Sequence, residues 1–163
     1  MKKRNGFVSN SSSSSFILSL PKRPETKEEL FNYMFFEGDV RYNDPYDDRS
    51  YPIEDAVSAV MDQLKDQNSM TIEQMAEEIS CGHNEDAIMP LDCFKNGEGD
   101  YDWDSYTEYL KEEARRRANN FVRLHDNKKF FSVSFSDNEG DFQSAMEHGY
   151  AFDRIPHIRC NYH

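Results

Sequence analysis

The segment Phe131-Ser-Val-Ser-Phe-Ser136 decides the fold, because in it three apolar residues alternate with three serines. This period of two predicts a strand with one apolar face and one polar face. Two further strands are predicted near the chain ends, Phe16-Ile-Leu-Ser-Leu20 and Ile155–Tyr162. A small antiparallel or mixed sheet, gathered from both ends of the chain, is therefore expected.

Between these strands the apolar residues recur at helical spacing. Thr26 and Thr71 each open a capping box, in which a threonine is followed three residues later by Glu or Gln. The order of elements predicts a single α+β domain over residues 1–163, with the sheet packed against about four helices. These helices are predicted over 26–36, 53–66, 71–81 and 102–125, with a further short helix over 142–147.

The negative charge of the chain is concentrated in its middle. The net charge is −12, yet residues 37–110 alone carry twenty Asp and Glu against four Lys and Arg. Such a block repels nucleic-acid phosphates and attracts basic proteins. We expect a protein partner, with no direct binding to nucleic acid. Within the block, residues 37–52 and 83–100 are predicted to be long acidic loops, and Asp44, Asp47 and Asp48 are the predicted partner surface.

Cysteine content and hydropathy indicate the cellular compartment in which the protein is expected to act. The three cysteines are odd in number and widely spaced, unlike a disulfide framework. No apolar stretch has the length of a signal peptide core or a membrane span. A reduced, cytoplasmic protein without membrane contact is expected.

The first sixteen residues read Met-Lys-Lys-Arg-Asn-Gly-Phe-Val-Ser-Asn-Ser-Ser-Ser-Ser-Ser-Phe. Apolar residues bracket the serine run, and a solvated tail does not need them, so we expect this segment to be ordered against the domain. The opening resembles that of a set of small uncharacterised proteins from tailed phages and some bacteria. The resemblance implies a phage-type accessory protein, acting in the host cytoplasm on a host-encoded partner. By analogy, an acidic protein of this kind modulates a host factor by imitating nucleic acid.

The serine run has three interpretations, which the sequence leaves open. It is a flexible arm, a modification target, or a binding loop that offers hydroxyl groups to an anion or a peptide backbone. The binding residues in the third interpretation are Asn10, Ser11, Ser12, Ser13, Ser14 and Ser15.

The terminal strand supplies a second candidate site. Alternation places His157, Arg159 and His163 on one face. If this strand neighbours residues 131–136, their serines lie beside the basic row and the surface suits a phosphate or carboxylate. This is the alternative function, a small-ligand or anion-binding protein or an enzyme. The simpler interpretation is a polar edge strand that resists aggregation.

The sequence contains no recognisable motif for metal binding or catalysis. Cys81 and His83 are separated by one residue, which is too close for usual zinc ligand pairs. Asp100-Tyr-Asp102-Trp-Asp104 opens like a calcium loop but has Ser105 where glycine is required. No nucleophile elbow, phosphate loop or dinucleotide fingerprint occurs. We therefore predict no catalytic residue, no metal ligand and no cofactor.

Overall fold

The computed structural model describes residues 13–44, 48–82, 91–148 and 150–162. No helix among these residues has both the length and the apolar character needed to cross a membrane. In chain order the elements are β1 (Ser13–Leu20), α1 (Lys27–Met34), β2 (Arg41–Asn43), β3 (Ser50–Pro52), α2 (Ile53–Leu64), α3 (Ile72–Cys81), α4 (Trp103–Leu124), β4 (Lys129–Ser136), α5 (Asp141–His148) and β5 (His157–Tyr162), with short 3₁₀ turns at Leu91–Phe94 and Asp137–Glu139.

The predicted sheet from both chain ends is confirmed. Its order is β4-β1-β5 and both pairings are antiparallel. Phe16 of β1 lies opposite Val133 of β4 and Arg159 of β5. Because β1 is in the middle, β4 and β5 are not neighbours. The sequence placed the β4 serines beside the basic row only if these two strands were adjacent, and they are not.

Helices cover both faces of the sheet. On one face, Phe16, Leu18 and alternate β4 residues pack with buried side chains of α1, α2 and α5. On the other face, Ile17, Phe130 and Cys160 pack with α3 and α4. This two-sided burial explains why Phe16-Ile-Leu is apolar without a break, since a strand covered on both faces loses its alternation. The α+β class is confirmed, with five α-helices in the described part of the chain.

The capping box predicted at Thr71 is complete, whereas at Thr26 only the threonine half forms, because the Glu29 side chain accepts from the Glu25 N–H instead. Thr71 Oγ1 accepts from the Gln74 N–H, and the Gln74 side chain accepts from the Thr71 N–H. Thr26 Oγ1 accepts from the Glu29 N–H. Each satisfies backbone N–H groups that a helix start leaves without partners.

The segment predicted as a long loop over 37–52 contains the short hairpin of β2 and β3. Its strands have three residues each, which is too short for an alternating pattern to be recognised. Buried Tyr42 anchors the hairpin, because its hydroxyl donates to the Ala145 carbonyl of α5 at 2.7 Å. Of the other predicted loop, residues 83–90 lie outside the described residues, and 91–94 form a 3₁₀ turn.

The outer edge of β4 is covered by side-chain amides. Gln63 Nε2 donates to the Ser134 carbonyl at 2.9 Å, and Gln63 Oε1 accepts from the Ser134 N–H at 2.8 Å. Gln67, in the turn after α2, makes the same pair of bonds with Ser132, at 2.6 and 3.2 Å. An amide side chain presents a donor and an acceptor as a peptide group does, so the two glutamines replace a neighbouring strand.

Candidate functional site

The described part of the serine run belongs to the sheet. Ser13, Ser14 and Ser15 are the first residues of β1, and the last two are buried. Asn10, Ser11 and Ser12 lie outside the described residues. For Ser13–Ser15 the flexible-arm interpretation is wrong, because their backbones pair with both neighbouring strands.

Ser14 and Arg159, two of the predicted binding residues, meet in one polar cluster. Ser14 Oγ accepts from Arg159 Nε at 3.3 Å and Nη2 at 3.2 Å, and it lies 3.1 Å from Glu147 Oε1 and 3.0 Å from Asn161 Oδ1. A hydroxyl has one hydrogen, so it donates to only one of these two oxygens. Glu147 has no exposed surface, and a hydrogen bond from Ser14 to its Oε1 offsets part of the cost of burying this acidic group. Ser14 is thus the link between a buried carboxylate and an exposed guanidinium.

Ser15 points to the opposite face of the sheet. Its hydroxyl lies 3.1 Å from the Tyr162 hydroxyl, which donates to the Glu78 carbonyl at 3.3 Å. Cys160 lies directly opposite Ser15 in the register, and burial raises the pKa of its thiol to about 11. A thiol with a raised pKa is a poor nucleophile at neutral pH, so nothing here points to nucleophilic chemistry at Cys160.

His157 is held by its own strand and by aromatic rings. Its Nδ1 lies 2.8 Å from the Ile155 carbonyl, so the hydrogen must be on Nδ1. The imidazole meets Phe16 and Phe152 edge-on, at 5.8 and 6.3 Å between ring centres. His163 lies outside the described residues.

The β4 serines lie on the other face from this row. Ser132 Oγ donates to Glu78 Oε1 at 2.5 Å, on the side of the sheet that α3 covers. The structure therefore does not bring the β4 serines and the basic row together. An anion beside Arg159 would also approach the buried carboxylate of Glu147 on the far side of Ser14, which makes the cluster unfavourable for phosphate.

Of the acidic surface predicted on the hairpin, Asp44 is half-buried, Asp48 is exposed, and Asp47 lies outside the described residues. Two cations share this region. Arg41 bonds to Ser50, and Arg49 forms an ion pair with Asp141. The hairpin is therefore less negative than its aspartates alone suggest.

A second acidic region carries a cluster of aromatic rings. The ring centre of Phe94 lies 5.2 Å from that of Tyr106 and 5.4 Å from that of Tyr109. Trp103 lies 5.7 Å from Tyr101 and 6.4 Å from Tyr106. Trp103 is 58% exposed, although its spacing from Tyr106, Leu110 and Ala114 is that of an apolar helix face. Trp103 is the first residue of α4, whereas the α4 residues that pack in the core lie further along the helix, at Ala114, Ala118 and Phe121.

Carboxylates surround these rings. Residues 91–110 contain six Asp and Glu and one lysine, a net charge of −5. Asp102 is the N-cap of α4, where its Oδ1 accepts from the Ser105 N–H at 3.0 Å. We call this region the aromatic–acidic surface, and its members are Phe94, Tyr101, Trp103, Tyr106 and Tyr109 together with Asp92, Asp100, Asp102, Asp104 and Glu108.

The first half of α4 continues the negative charge as far as Glu112, after which exposed Arg115 and Arg116 follow. Asp104, Glu108 and Glu112 are exposed and recur every four residues, which spaces them about 6 Å apart along the helix. Glu113, which is buried, does not belong to this row. Its carboxylate pairs with Arg116 on the next turn, and that bond holds the pKa of Glu113 below its usual range.

A metal centre does not form among the described residues. No group of three or more His, Cys, Asp or Glu side chains there has the proximity to hold an ion. Cys81 and Cys93 are exposed and Cys160 is buried. His83 lies outside the described ranges.

Comparison of the chain with models of known families, with curated proteins and with solved structures finds no match. In the described part of the chain, the fold and its surfaces define an α+β protein with a buried polar cluster and an exposed aromatic–acidic surface. The sequence predicted the partner surface at Asp44, Asp47 and Asp48, and it did not indicate that the rings of the aromatic–acidic surface cluster together. The signal that marks them is the alternation of acids and rings in Asp100-Tyr-Asp-Trp-Asp104.

Proposed function

We propose that this protein binds a basic protein partner through the aromatic–acidic surface. The observation that carries the proposal is Trp103, the one tryptophan of the chain, which lies 58% exposed among packed rings and carboxylates. Tryptophan and tyrosine supply much of the binding energy in protein interfaces, because they bury a large area with few rotatable bonds. The carboxylates select a partner of opposite charge.

The two kinds of group have separate roles. Rings that are already packed against one another lose little side-chain entropy when a partner covers them, so they favour affinity. They also accept lysine or arginine cations on their faces. The surrounding carboxylates steer a basic partner over about a Debye length, roughly 8 Å at physiological salt, and raise the association rate.

The regular row on α4 supports a nucleic-acid-binding protein as the class of basic partner. Asp104, Glu108 and Glu112 extend the negative surface along one line, as a phosphate backbone does. A protein that binds nucleic acid carries clustered Lys and Arg, which this row complements. In this function the protein competes with nucleic acid for its partner and does not bind nucleic acid itself.

The test uses Trp103 as its own reporter, since no other tryptophan contributes to the fluorescence. Titration with a nona-arginine peptide should change Trp103 emission at about 50 mM NaCl, and binding should weaken at about 300 mM. The triple variant Asp100→Asn, Asp102→Asn, Asp104→Asn should weaken binding roughly tenfold. Asparagine preserves the N-cap at position 102, so the fold is retained.

A charge-matched control removes three exposed acids elsewhere, with Glu37→Gln, Asp62→Asn and Glu139→Gln. This control should change the affinity by less than about twofold at the higher salt, where distant charges are screened. Equal weakening in both variants would mean that only net charge matters and would remove the aromatic–acidic surface from the proposal.

The alternative function, anion binding at the basic row, is not favoured by an observation of its own. Arg159 bonds to Ser14, and its guanidinium lies 5.6 Å from the ring centre of Phe16. Both contacts attach it to the domain, and the cluster already contains a carboxylate. Ligand binding there remains a prediction from the sequence.

A further inference from the structure

The aromatic–acidic surface contains one cation of its own. Lys95 Nζ lies 2.8 Å from Asp92 Oδ1 and 5.0 Å from the centre of the Tyr101 ring. The Tyr101 hydroxyl donates to the same Asp92 oxygen at 3.0 Å. A carboxylate and a ring face therefore converge on a single ammonium group, which is how proteins bind alkylammonium and guanidinium ligands. The hydrogen bond to Asp92 raises the pKa of Lys95, and the same bond lowers the pKa of Asp92.

The backbone between these groups fixes their positions. Lys95 and Tyr101 face each other in an antiparallel bridge. The Asn96 N–H donates to the Asp100 carbonyl at 2.8 Å, and the Asp102 N–H donates to the Phe94 carbonyl at 2.7 Å. Inside the loop, Asn96 Oδ1 accepts from the Glu98 and Asp100 N–H groups, both at 3.0 Å. These bonds fix the backbone that carries the Tyr101 ring independently of the lysine side chain, and Asp92 Oδ1 accepts from the hydroxyl of that ring.

We propose that Asp92 and Tyr101 form a binding site for one arginine side chain of the basic partner, and that Lys95 fills this site until the partner displaces it. This inference rests on the proposed function and identifies the contact that the partner makes. An exposed ion pair between flexible side chains contributes little, so Lys95 is easily displaced. Arginine is the stronger occupant, because its planar guanidinium stacks on a ring and bonds to a carboxylate at the same time.

The consequence is that Lys95 competes with the partner. Lys95→Met retains most of the aliphatic side chain and removes the ammonium group, so the site is empty in the free protein. Nona-arginine should then bind about threefold more tightly, measured by Trp103 emission. Asp92→Asn and Tyr101→Leu should each weaken binding by about threefold, because they remove one of the two groups that accept the guanidinium.

The control for net charge is Lys65→Met, which removes one exposed lysine near the end of α2. Tighter binding in the Lys95 variant than in the Lys65 variant supports displacement. Equal affinities in these two variants would overturn it. Lys95→Gln provides a second, polar replacement, and it should behave as Lys95→Met does.

Failure of this inference is distinguishable from failure of the proposed function. If the proposed function is wrong, Asp100→Asn, Asp102→Asn, Asp104→Asn binds nona-arginine no more weakly than the charge-matched control variant does. If only the displacement is wrong, that triple variant binds weakly while Lys95→Met gains nothing over Lys65→Met. A nona-lysine peptide of the same length and charge completes the test. A site for arginine should bind nona-arginine more tightly than nona-lysine.

Discussion

Removal of the two glutamines at the edge of β4 should destabilise the protein and expose that edge. The Gln67 side chain makes three hydrogen bonds, two with Ser132 and one from Nε2 to the Gln63 carbonyl at 2.8 Å. Gln63 makes two, both with Ser134 and more exposed to water. A hydrogen bond contributes about 1 kcal/mol net, and less where water replaces it. We expect Gln67→Ala to cost about 2 kcal/mol and Gln63→Ala about 1 kcal/mol.

The assay is urea unfolding, followed by far-ultraviolet circular dichroism. The double variant should lose about 3 kcal/mol, and any departure from the sum of the single losses measures the coupling between these two neighbouring residues. Asn68→Ala is the control, because it removes an exposed amide from the same connecting segment and should change the free energy of unfolding by less than about 0.5 kcal/mol.

A second readout separates edge protection from simple loss of stability. An unpaired edge strand pairs with other chains, so the double variant should associate with increasing concentration in light scattering, under conditions where it remains folded. The reasoning is refuted if the double variant unfolds at the same urea concentration as Asn68→Ala. It is also refuted if the variant is destabilised yet stays monomeric at all concentrations, because the edge would then have another cover.

Two further predictions concern the buried polar residues of β1 and β5. Ser14→Ala removes the hydroxyl between Glu147 and Arg159 and should lower the free energy of unfolding by about 2 kcal/mol, whereas Ser13→Ala, at a half-buried position, should cost less than half of that in the same urea assay. The raised pKa of Cys160 makes the stability depend on alkaline pH: the unfolded thiol ionises from its ordinary value of 9.0 and the folded thiol only near 11. The contribution of the neutral, buried thiol to the free energy of unfolding is complete below pH 9 and is lost as the pH rises to 11. The wild type should therefore lose about 2 kcal/mol more of this free energy than Cys160→Ala does over that interval. Identical pH profiles for the two proteins would contradict the burial of the thiol.

The sequence predicts the fold well where a local pattern carries the information. The alternation in residues 131–136 and the threonine caps act over a few residues, and each appears in the structure where the pattern places it. The period of two also predicts that Arg159 and Cys160 face opposite ways, as they do. The strand order does not follow from such patterns. Since β1 lies between β4 and β5, the β4 serines and the basic row are not adjacent, and the register places them on opposite faces of the sheet.

The hydrogen-bond partners of side chains depend on tertiary packing, so a local sequence pattern does not predict them. Nothing near Gln63 or Gln67 indicates that their amides replace a strand, since the bonds reach residues about seventy positions away. The Ser14 contact with Glu147 likewise joins residues 133 positions apart. The apolar residues on both sides of the serine run indicate that it is ordered, but only the folded structure shows which side chains Ser14 and Ser15 contact.

The acidic block illustrates the same limit for a functional surface. Counting charges along residues 37–110 predicts how much negative charge the protein presents, yet the count treats every aspartate alike. In the structure Arg41 and Arg49 accompany the hairpin acids, while Trp103 and Tyr101 accompany those at the start of α4. Binding requires apolar area as well as charge, because charge mainly accelerates the encounter and buried rings hold the complex together. The region where both occur is therefore the stronger candidate, although its charge density alone does not distinguish it.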